Sequence, residues 1–590
     1  MKTTILLISL FTFCSTTVTF GQNSDEKIDN IKYQKALQEN IFIHYNSSFL
    51  LPGENLYYKV YCLKTRTKRL SNISKIAYIE LIDSDLKLVF KHKIRLNAGH
   101  GDGTFFIPAN IKSGYYKLIA YTQWMRNEGD HFVSKNDILI INPFQKDFNI
   151  TNDEENMPNS THQIKSEFED DLNKTDRQLK LNLPKRVYGK REIVPMDFYN
   201  SNNDIINGSY SISVRKIDEI EKPKMLKTIN YITQYSGYSD INGNFKNRET
   251  KFMPELKGDL ISGKLIPKNQ ISSVSNIPLA LSIPEKEYIL KFALTNEKGF
   301  FHFNVEKKYE KQIAVIQALG DFKNQFEFSI DQKKPLKYAD FEFNKFDFKD
   351  SYKNLIREYS VYNQIENAYH NRKQDTLKNR KPLMEFLSIS TKGESYNLDD
   401  YKRFSTIGET ITEVINSSWI KKKKGNYTIH IRDKDIYDKN DYLPLVVIDG
   451  ILTQDYNVIV NFDAYKVQEI NIIRNEFNFG DFKFQGIISI KTINNNFDKS
   501  PLINNVKTIN LTKPLVSKRY YNQIYISDNE FDRIPDYRIQ LFWSPELKLN
   551  GEHSKINFYT SDVKGTYEIK VEGFSKSGKP ISISEEIEVN

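Results

Sequence analysis

The residues that could do chemistry are scattered through the chain. Nine histidines stand at positions 44, 92, 100, 131, 162, 302, 370, 430 and 553, none of them paired at metal-ligand spacing, and His-Glu-Xaa-Xaa-His does not occur. His100 alone has a suggestive setting, Gly99-His100-Gly101-Asp102-Gly103, which reads as a turn before it reads as a metal or catalytic site. Acidic neighbours such as Asp170-Asp171 and Asp399-Asp400 are expected by chance among 75 carboxylates. Asp399 and Asp400 precede a helix start, where negative charge is favourable, and this outweighs a glycosidase-type pair. The segment DKDIYDKND, residues 433 to 441, offers oxygens for calcium but lacks the central Gly and closing Glu of an EF-hand loop. No Gly-Xaa-Ser-Xaa-Gly elbow and no phosphate-cradling loop is present. Lys421 to Lys424, between Trp419-Ile420 and Gly425-Asn426, read as a solvated turn between strands; a phosphate- or partner-binding patch is the second reading. No catalytic, cofactor-binding or metal-binding residue is assigned, no cofactor is expected, and a non-enzyme is the reading.

The elements that would position such residues are mostly strands. The chain has 590 residues, room for three to five domains at roughly 100 to 200 residues each. Apolar residues make up 39% and aromatics 13%, with 35 Tyr and 38 Phe, a composition that favours strands and excludes collagen, coiled coil and a disordered tail. Two cysteines rule out a disulfide scaffold. The net charge of +9 is small against 84 basic and 75 acidic residues spread along the chain, so nucleic acid is not expected as a partner.

Residues 1 to 22 read as a secretory signal: Met1-Lys2, an apolar stretch from Ile5 to Phe13 too short to span a bilayer, then Phe20-Gly21-Gln22 with cleavage after Gly21. Phe13 before Cys14 disfavours lipidation, and Cys62 in YYKVYCL is expected to pack as a small apolar side chain. No later stretch offers about 18 consecutive apolar residues. The reading is an exported chain, in the periplasm or at the cell surface, peripheral to the outer membrane and without a transmembrane segment of its own.

Residues 24 to 40 are polar and could form a short helix. From Ile41 short alternating runs follow at intervals near ten residues: IFIHY, NLYYKVYCL, KIAYIELID, LKLVFKHKIRL, GTFFIPA, YYKLIAYTQW and DILIINP. This predicts a β-sandwich over 41–143. Pro52-Gly53 is expected to turn between the first two strands, Gly101 and Gly103 to open a bend, and Gly114 to launch a strand ending at Trp124. FLLPGENLYYKVYC, IELID and GHGDGTFFIPANIKSGYYKLIAYTQWMRN resemble the MG2-type macroglobulin domain of α2-macroglobulins and of many exported Bacteroidota proteins. Protease-trapping members carry a Cys-Gly-Glu-Gln thioester; this chain has neither that motif nor a cysteine to make it, so no covalent trap is implied.

Residues 144–178, rich in Asn, Asp, Glu, Ser and Thr, read as a linker. LKLNLP, IVPMDFY and GSYSISVRK predict a partial second sandwich with long loops over 179–255, to be completed by later strands. Residues 256–335 are similar to the transthyretin-like, carboxypeptidase-regulatory-like domains. Leu355, Ile356, Tyr359, Tyr362, Ile365 and Tyr369 recur at helical spacing within 351–388, with a break at Pro382, and this helix is expected to lead into the next domain.

In 390–495, Ser405-Thr406 cap a helix from Ile407 to Ile415. YTIHIRD, LPLVVIDGIL, VQEINIIRN and FGDFKFQGIISIKTI then give strand, strand, turn, strand, Gly turn, strand. This resembles the plug domain of TonB-dependent receptors through Val447 to Gly450, Val467 to Ile473, and Phe479-Gly480 with Gly486-Ile487-Ile488. About 95 residues follow, whereas a receptor barrel needs some 22 strands of roughly ten residues, so the resemblance implies a plug without its barrel. Residues 510–590 alternate again and read as a C-terminal sandwich-like module.

The fold class expected is mainly β and multidomain, macroglobulin- or immunoglobulin-like β-sandwiches plus a small α+β plug-like domain. The function expected is non-enzymatic binding of a protein partner at the outer membrane, as an accessory of a β-barrel transport assembly. Its rivals are a macroglobulin-like secreted or surface binding and adhesion protein without thioester, and a glycan-active enzyme.

Overall fold

The computed structural model describes residues 38–129, 132–145, 179–200, 202–236, 252–268, 273–285, 287–320, 325–344, 348–377, 393–433, 442–479, 482–497, 506–525 and 533–590. The signal reading at 1–22, Cys14, Asp170-Asp171, Pro382, Gly480, nearly all of the linker and residues 434–441 of the calcium-like segment lie outside them. The chain is mainly β, as its composition requires, and its strands form three sandwiches and one α+β domain.

The first sandwich pairs Glu39–Tyr45, Asn55–Lys64 and His100–Phe106 in one sheet. Phe49–Leu50, Ser134–Ile140, Gly114–Tyr121, Ile76–Ile82 and Leu88–Arg95 make the other. Alternation aims Ile41, Ile43, Leu56, Tyr58, Val60, Cys62, Ala77, Ile79 and Leu81 into the core. Burial pushes the Cys62 thiol well up, consistent with a packed, unreactive side chain. Pro52-Gly53 does turn, with Gly53 at φ 89°, though the short strand Phe49–Leu50 precedes it. Gly101 and Gly103, by contrast, sit inside a regular strand. A Cβ on Gly103 would lie 2.5 Å from the Tyr58 hydroxyl oxygen and one on Gly101 2.5 Å from Ile94 Cγ2, so these glycines serve close packing, not a bend. The strand launched at Gly114 ends at Tyr121, before Trp124.

The second sandwich is discontinuous in sequence. Ile193–Asn200 lies between Leu179–Asn182 and His553–Tyr559, while Ser209–Lys216 lies between Gln540–Ser544 and Gly565–Phe574, with Pro580–Val589 beyond. The strands expected as two modules, within 179–255 and 510–590, thus share one core built from Val194, Phe198, Ile212, Val214, Leu541, Phe558, Ile569 and Val571. The third sandwich holds six strands between Asp259 and Ile330, and borrows Lys507–Asn510 as an edge beside Ile313–Ala318.

The helix Tyr352–Ala368 is on its expected face but in a different place. Tyr352, Ile356 and Tyr359 wedge it against Phe49, Leu51, Leu139 and Ile141 of the first sandwich and Ile539 and Val563 of the second, so it braces two earlier domains instead of leading into the next.

In the α+β domain a five-stranded sheet runs Glu394–Asn397, Val467–Phe479, Phe482–Thr492, Leu445–Ile448, Ile451–Thr453. Leu445–Ile448 pairs parallel with 487–490, so the three stretches that carry the plug resemblance are neighbours in one sheet. Thr406 caps the helix Ile407–Val414 in a capping box with Glu409. Asp449 (φ 47°) and Gly450 (φ 85°) make the tight hairpin turn, and the Asp449 carboxylate accepts from Thr492 N and Oγ1 and from Phe497 N.

Candidate functional site

The outward-facing residues of the first sandwich decide where a cleft opens. Along Asn55–Lys64 the outer set is Tyr57, Lys59, Tyr61 and Leu63, which packs on the second sandwich. Tyr61 donates to the backbone oxygen of Glu572 (3.0 Å), Lys59 Nζ donates to Ser209 Oγ (2.8 Å), and His44 Nδ1 lies 2.6 Å from Ser211 Oγ. Burial holds His44 well below the ordinary imidazole range, so this Ser–His contact is a neutral, enclosed hydrogen bond inside the seam and has no access to substrate.

At the Tyr57 end the two sandwiches part, leaving a cleft of about 1160 Å³. Its walls come from His100–Phe106, the edge strand Gln540–Ser544, the helix Tyr352–Ala368 and residues 518–521. Tyr57 stacks on Trp543 with centroids 5.9 Å apart and meets Tyr520 edge-on at 5.1 Å; the Tyr520 hydroxyl donates to Asp102 (3.1 Å). Asn363, Gln364 and Asn367 line it from the helix, with their amide nitrogens donating to Pro52 O, Ser360 Oγ and Gly53 O. Asn55 and Gln540 line it from the strands, Gln540 being held by Ser213 and Asn46. Phe106 is 50% exposed and Phe144 54% exposed, and both line the cleft. The buried Trp543 Nε1 and Arg215 Nε have no hydrogen-bond partner among the described residues.

A charge hub makes one side of the cleft rigid. Asp536 accepts from Arg538 Nε (2.7 Å) and Nη2 (2.6 Å) and from the Tyr525 hydroxyl (2.5 Å). Lys373 lies 3.7 Å from Asp536 and 2.6 Å from Glu366 of the bracing helix. Asp562, held by Arg191, accepts from Asp536 N (3.0 Å). Burial alone would raise the Asp536 carboxyl, but Arg538, Lys373 and the Tyr525 hydroxyl outweigh it and hold it at about 2. At Glu366 burial wins over Lys373 and its carboxyl is raised.

Such a cleft can stack on planar or apolar groups and hydrogen-bond to amides, the chemistry of an extended polypeptide. Its volume exceeds the roughly 300 to 1000 Å³ of ordinary small-molecule pockets. The residues singled out from sequence lie elsewhere. His100 starts a strand and lines a second, adjacent cleft. Asp399 pairs with Arg403 (2.5 Å) at a short helical turn before the capped helix. Lys421 to Lys423 continue a strand, with only Lys424-Gly425 in the turn. The cleft itself has no spacing motif; the one sequence signal is the alternating Tyr57 and Tyr61, whose outward faces require a cover.

No family model matches the sequence, and no curated protein matches it. Among solved structures the chain is similar to an alpha-2-macroglobulin of Salmonella (9% identity, TM-score 0.23, 94% of this chain, 40% of that one). It is also similar to an elastase-activated alpha-2-macroglobulin of Escherichia coli (10% identity, TM-score 0.23, 94% and 44%). A tetra-tandem repeat from a large adhesion protein follows at 7% identity and TM-score 0.13, covering 94% of this chain and 99% of that one. This chain spans less than half the length of the macroglobulins it matches, and at these TM-scores the likeness carries no argument about what it does.

Proposed function

We propose that this chain is an exported, non-enzymatic protein of the cell envelope, peripheral to the outer membrane, that holds a segment of a protein partner in the cleft between its first two sandwiches. The partner we favour is a β-barrel of the outer membrane or its transport assembly. The observation that carries the binding reading is the cleft: exposed Phe106 and Phe144, a Tyr57–Trp543–Tyr520 aromatic floor and five side-chain amides on elements braced by the helix Tyr352–Ala368. A stacking floor and rigid amides hold a chain segment at small entropic cost. The envelope and the barrel come from the signal-like N-terminus and from the plug resemblance of 390–495, by analogy. The α+β domain carries its third-sandwich neighbour with it, which favours docking beside a barrel over entry into a lumen.

A second reading, capture of a soluble protein without covalent trapping, is favoured by the cleft's position on the first sandwich and not on the α+β domain. One experiment separates the two. A photo-crosslinking amino acid replaces Phe106, and in a second strain Phe144, and envelopes of the native organism are irradiated. Crosslinks to an outer-membrane barrel support the first reading, and crosslinks confined to soluble proteins support the second. No protein crosslinked from either position overturns both.

A further inference from the structure

A different part of the molecule carries a second surface. Ser418–Lys423 and Asn426–Ile431 form a two-stranded ribbon that pairs with no other strand among the described residues. Its base is anchored: Ile429 and Ile431 are buried in the α+β core, Trp419 stacks on His430 with ring planes 12° apart, and Tyr427 N donates to Asn457 Oδ1 (2.8 Å). Its outer part, Lys421 to Asn426, is exposed throughout. The turn is tight, with Lys424 at φ 50° and Gly425 at φ 85°, so the ribbon is a stiff arm and not a loose loop.

Successive strand residues point to opposite faces, so Lys421, Lys422, Lys423 and Lys424 place charge on both sides of the arm within about 10 Å of chain. Lys422 lies over the Tyr427 ring at 4.7 Å. No carboxylate among the described residues forms an ion pair with any of the four. Four like charges so close repel one another, a cost that an anionic surface removes. Lysine ammonium groups are flexible point charges. They suit a diffuse layer of phosphates, whereas a folded protein partner would need an aromatic or apolar anchor that the tip lacks.

We propose that the ribbon Ser418–Ile431 is a membrane-surface contact, binding the phosphate headgroups of an anionic leaflet through Lys421, Lys422, Lys423 and Lys424. It rests on the envelope reading only for which membrane it meets, and the cleft lies on other domains.

The test uses the purified full-length chain and vesicles of phosphatidylcholine, alone or mixed with phosphatidylglycerol, in co-sedimentation at low and high salt. Binding to the mixed vesicles only, weakened by salt, is expected. Replacing the four lysines together by glutamine should lower partitioning at low salt by about 1000-fold. A control removing the same charge from the exposed, dispersed Lys180, Lys257, Lys298 and Lys564 should keep most of it. Equal loss in both variants, or none in the ribbon variant, overturns the proposal. Because the ribbon variant could misfold, the wild-type chain is also acetylated with and without vesicles and read by mass spectrometry. Protection of Lys421 to Lys424 by mixed vesicles, and not by inorganic phosphate at equal ionic strength, is expected. Absent protection, or equal protection by free phosphate, overturns it. The assay contains no partner protein, so its failure leaves the cleft reading intact, and failed crosslinking at Phe106 and Phe144 leaves the vesicle result intact.

Discussion

Replacing Asp536 by Asn keeps its shape and removes its charge from the hub beside the cleft. Asp536 is 2% exposed and faces Arg538 through two hydrogen bonds, so the variant leaves a buried guanidinium without its counter-charge. Breaking a buried pair on one side costs about 3–5 kcal/mol. Part of that cost can be dissected by pH. The carboxyl lies at about 2 in the folded chain against 3.8 unfolded, a displacement corresponding to roughly 2.5 kcal/mol. A depressed carboxyl contributes this stability in full above its unfolded value. The contribution falls by about 1 kcal/mol by pH 3 and is gone below pH 2. Glu366 acts in the opposite direction: its raised carboxyl favours the folded state as pH falls, and that gain is complete near its ordinary range, before Asp536 titrates. The chain has three tryptophans, Trp124, Trp419 and Trp543, one each in the first sandwich, the α+β domain and the second sandwich. In a W124F/W419F background, Trp543 fluorescence reports the second sandwich together with its contact on Tyr57 of the first. At pH 7 the D536N urea midpoint should drop by about 2 M, taking roughly 2 kcal/mol per M as the slope for one such domain. The gap to wild type should then narrow between pH 5 and pH 3. A midpoint within about 0.3 M of wild type, or a gap constant across that range, would refute the hub as a source of stability.

Gly450→Ala should destabilise the α+β domain by about 2–4 kcal/mol, seen as an earlier Trp419 transition, because φ 85° disfavours a Cβ that would stand 2.5 Å from Tyr288 Cβ. Thr406→Ala, which removes the helix cap, should cost about 1 kcal/mol by the same probe. The double variant F106A/F144A should unfold within about 0.5 kcal/mol of wild type, since both rings are half exposed, while losing the partner crosslinked at the cleft.

What could be read from the sequence follows from how local its cause is. Alternation set the strands of the first sandwich, and Thr406 with Glu409 set a helix start, because both signals lie within a few residues. Ile76–Ile82 and Glu39–Tyr45 are buried on both faces, which alternation alone understates. Leu336 and Phe341 cover the first, and Tyr231 and Phe574 cover the second. That the few strands of 179–216 need later ones to close them was legible, but the identity of those strands, within 540–589, had no local trace, since pairing across more than 300 residues leaves no spacing to read. The cleft inherits that blindness: Asn55, Phe106, Asn363 and Trp543 meet only once those closures exist.

The α+β domain shows how firmly those closures bind the pieces. One face of its sheet carries its own helices through Ile407, Ile411 and Ile459. The other presents Leu445, Val447, Leu452 and Ile487 to Ala280 and Leu319 of the third sandwich, with Tyr288, Leu290 and Phe292 around them. Its outer strand Ile451–Thr453 is not a free edge either: Leu452 N donates to Ser282 Oγ (3.1 Å), and its carbonyl accepts from Gln317 Nε2 (2.7 Å). Exposing the four apolar side chains alone would cost about 6–12 kcal/mol, at about 1.5–3 kcal/mol each. Stripping the edge would leave further polar groups to satisfy. A domain held at that cost does not leave its neighbour to fill a lumen unless the lumen wall replaces the whole seam. Any docking of this domain against a barrel therefore brings the third sandwich along as part of the same rigid surface.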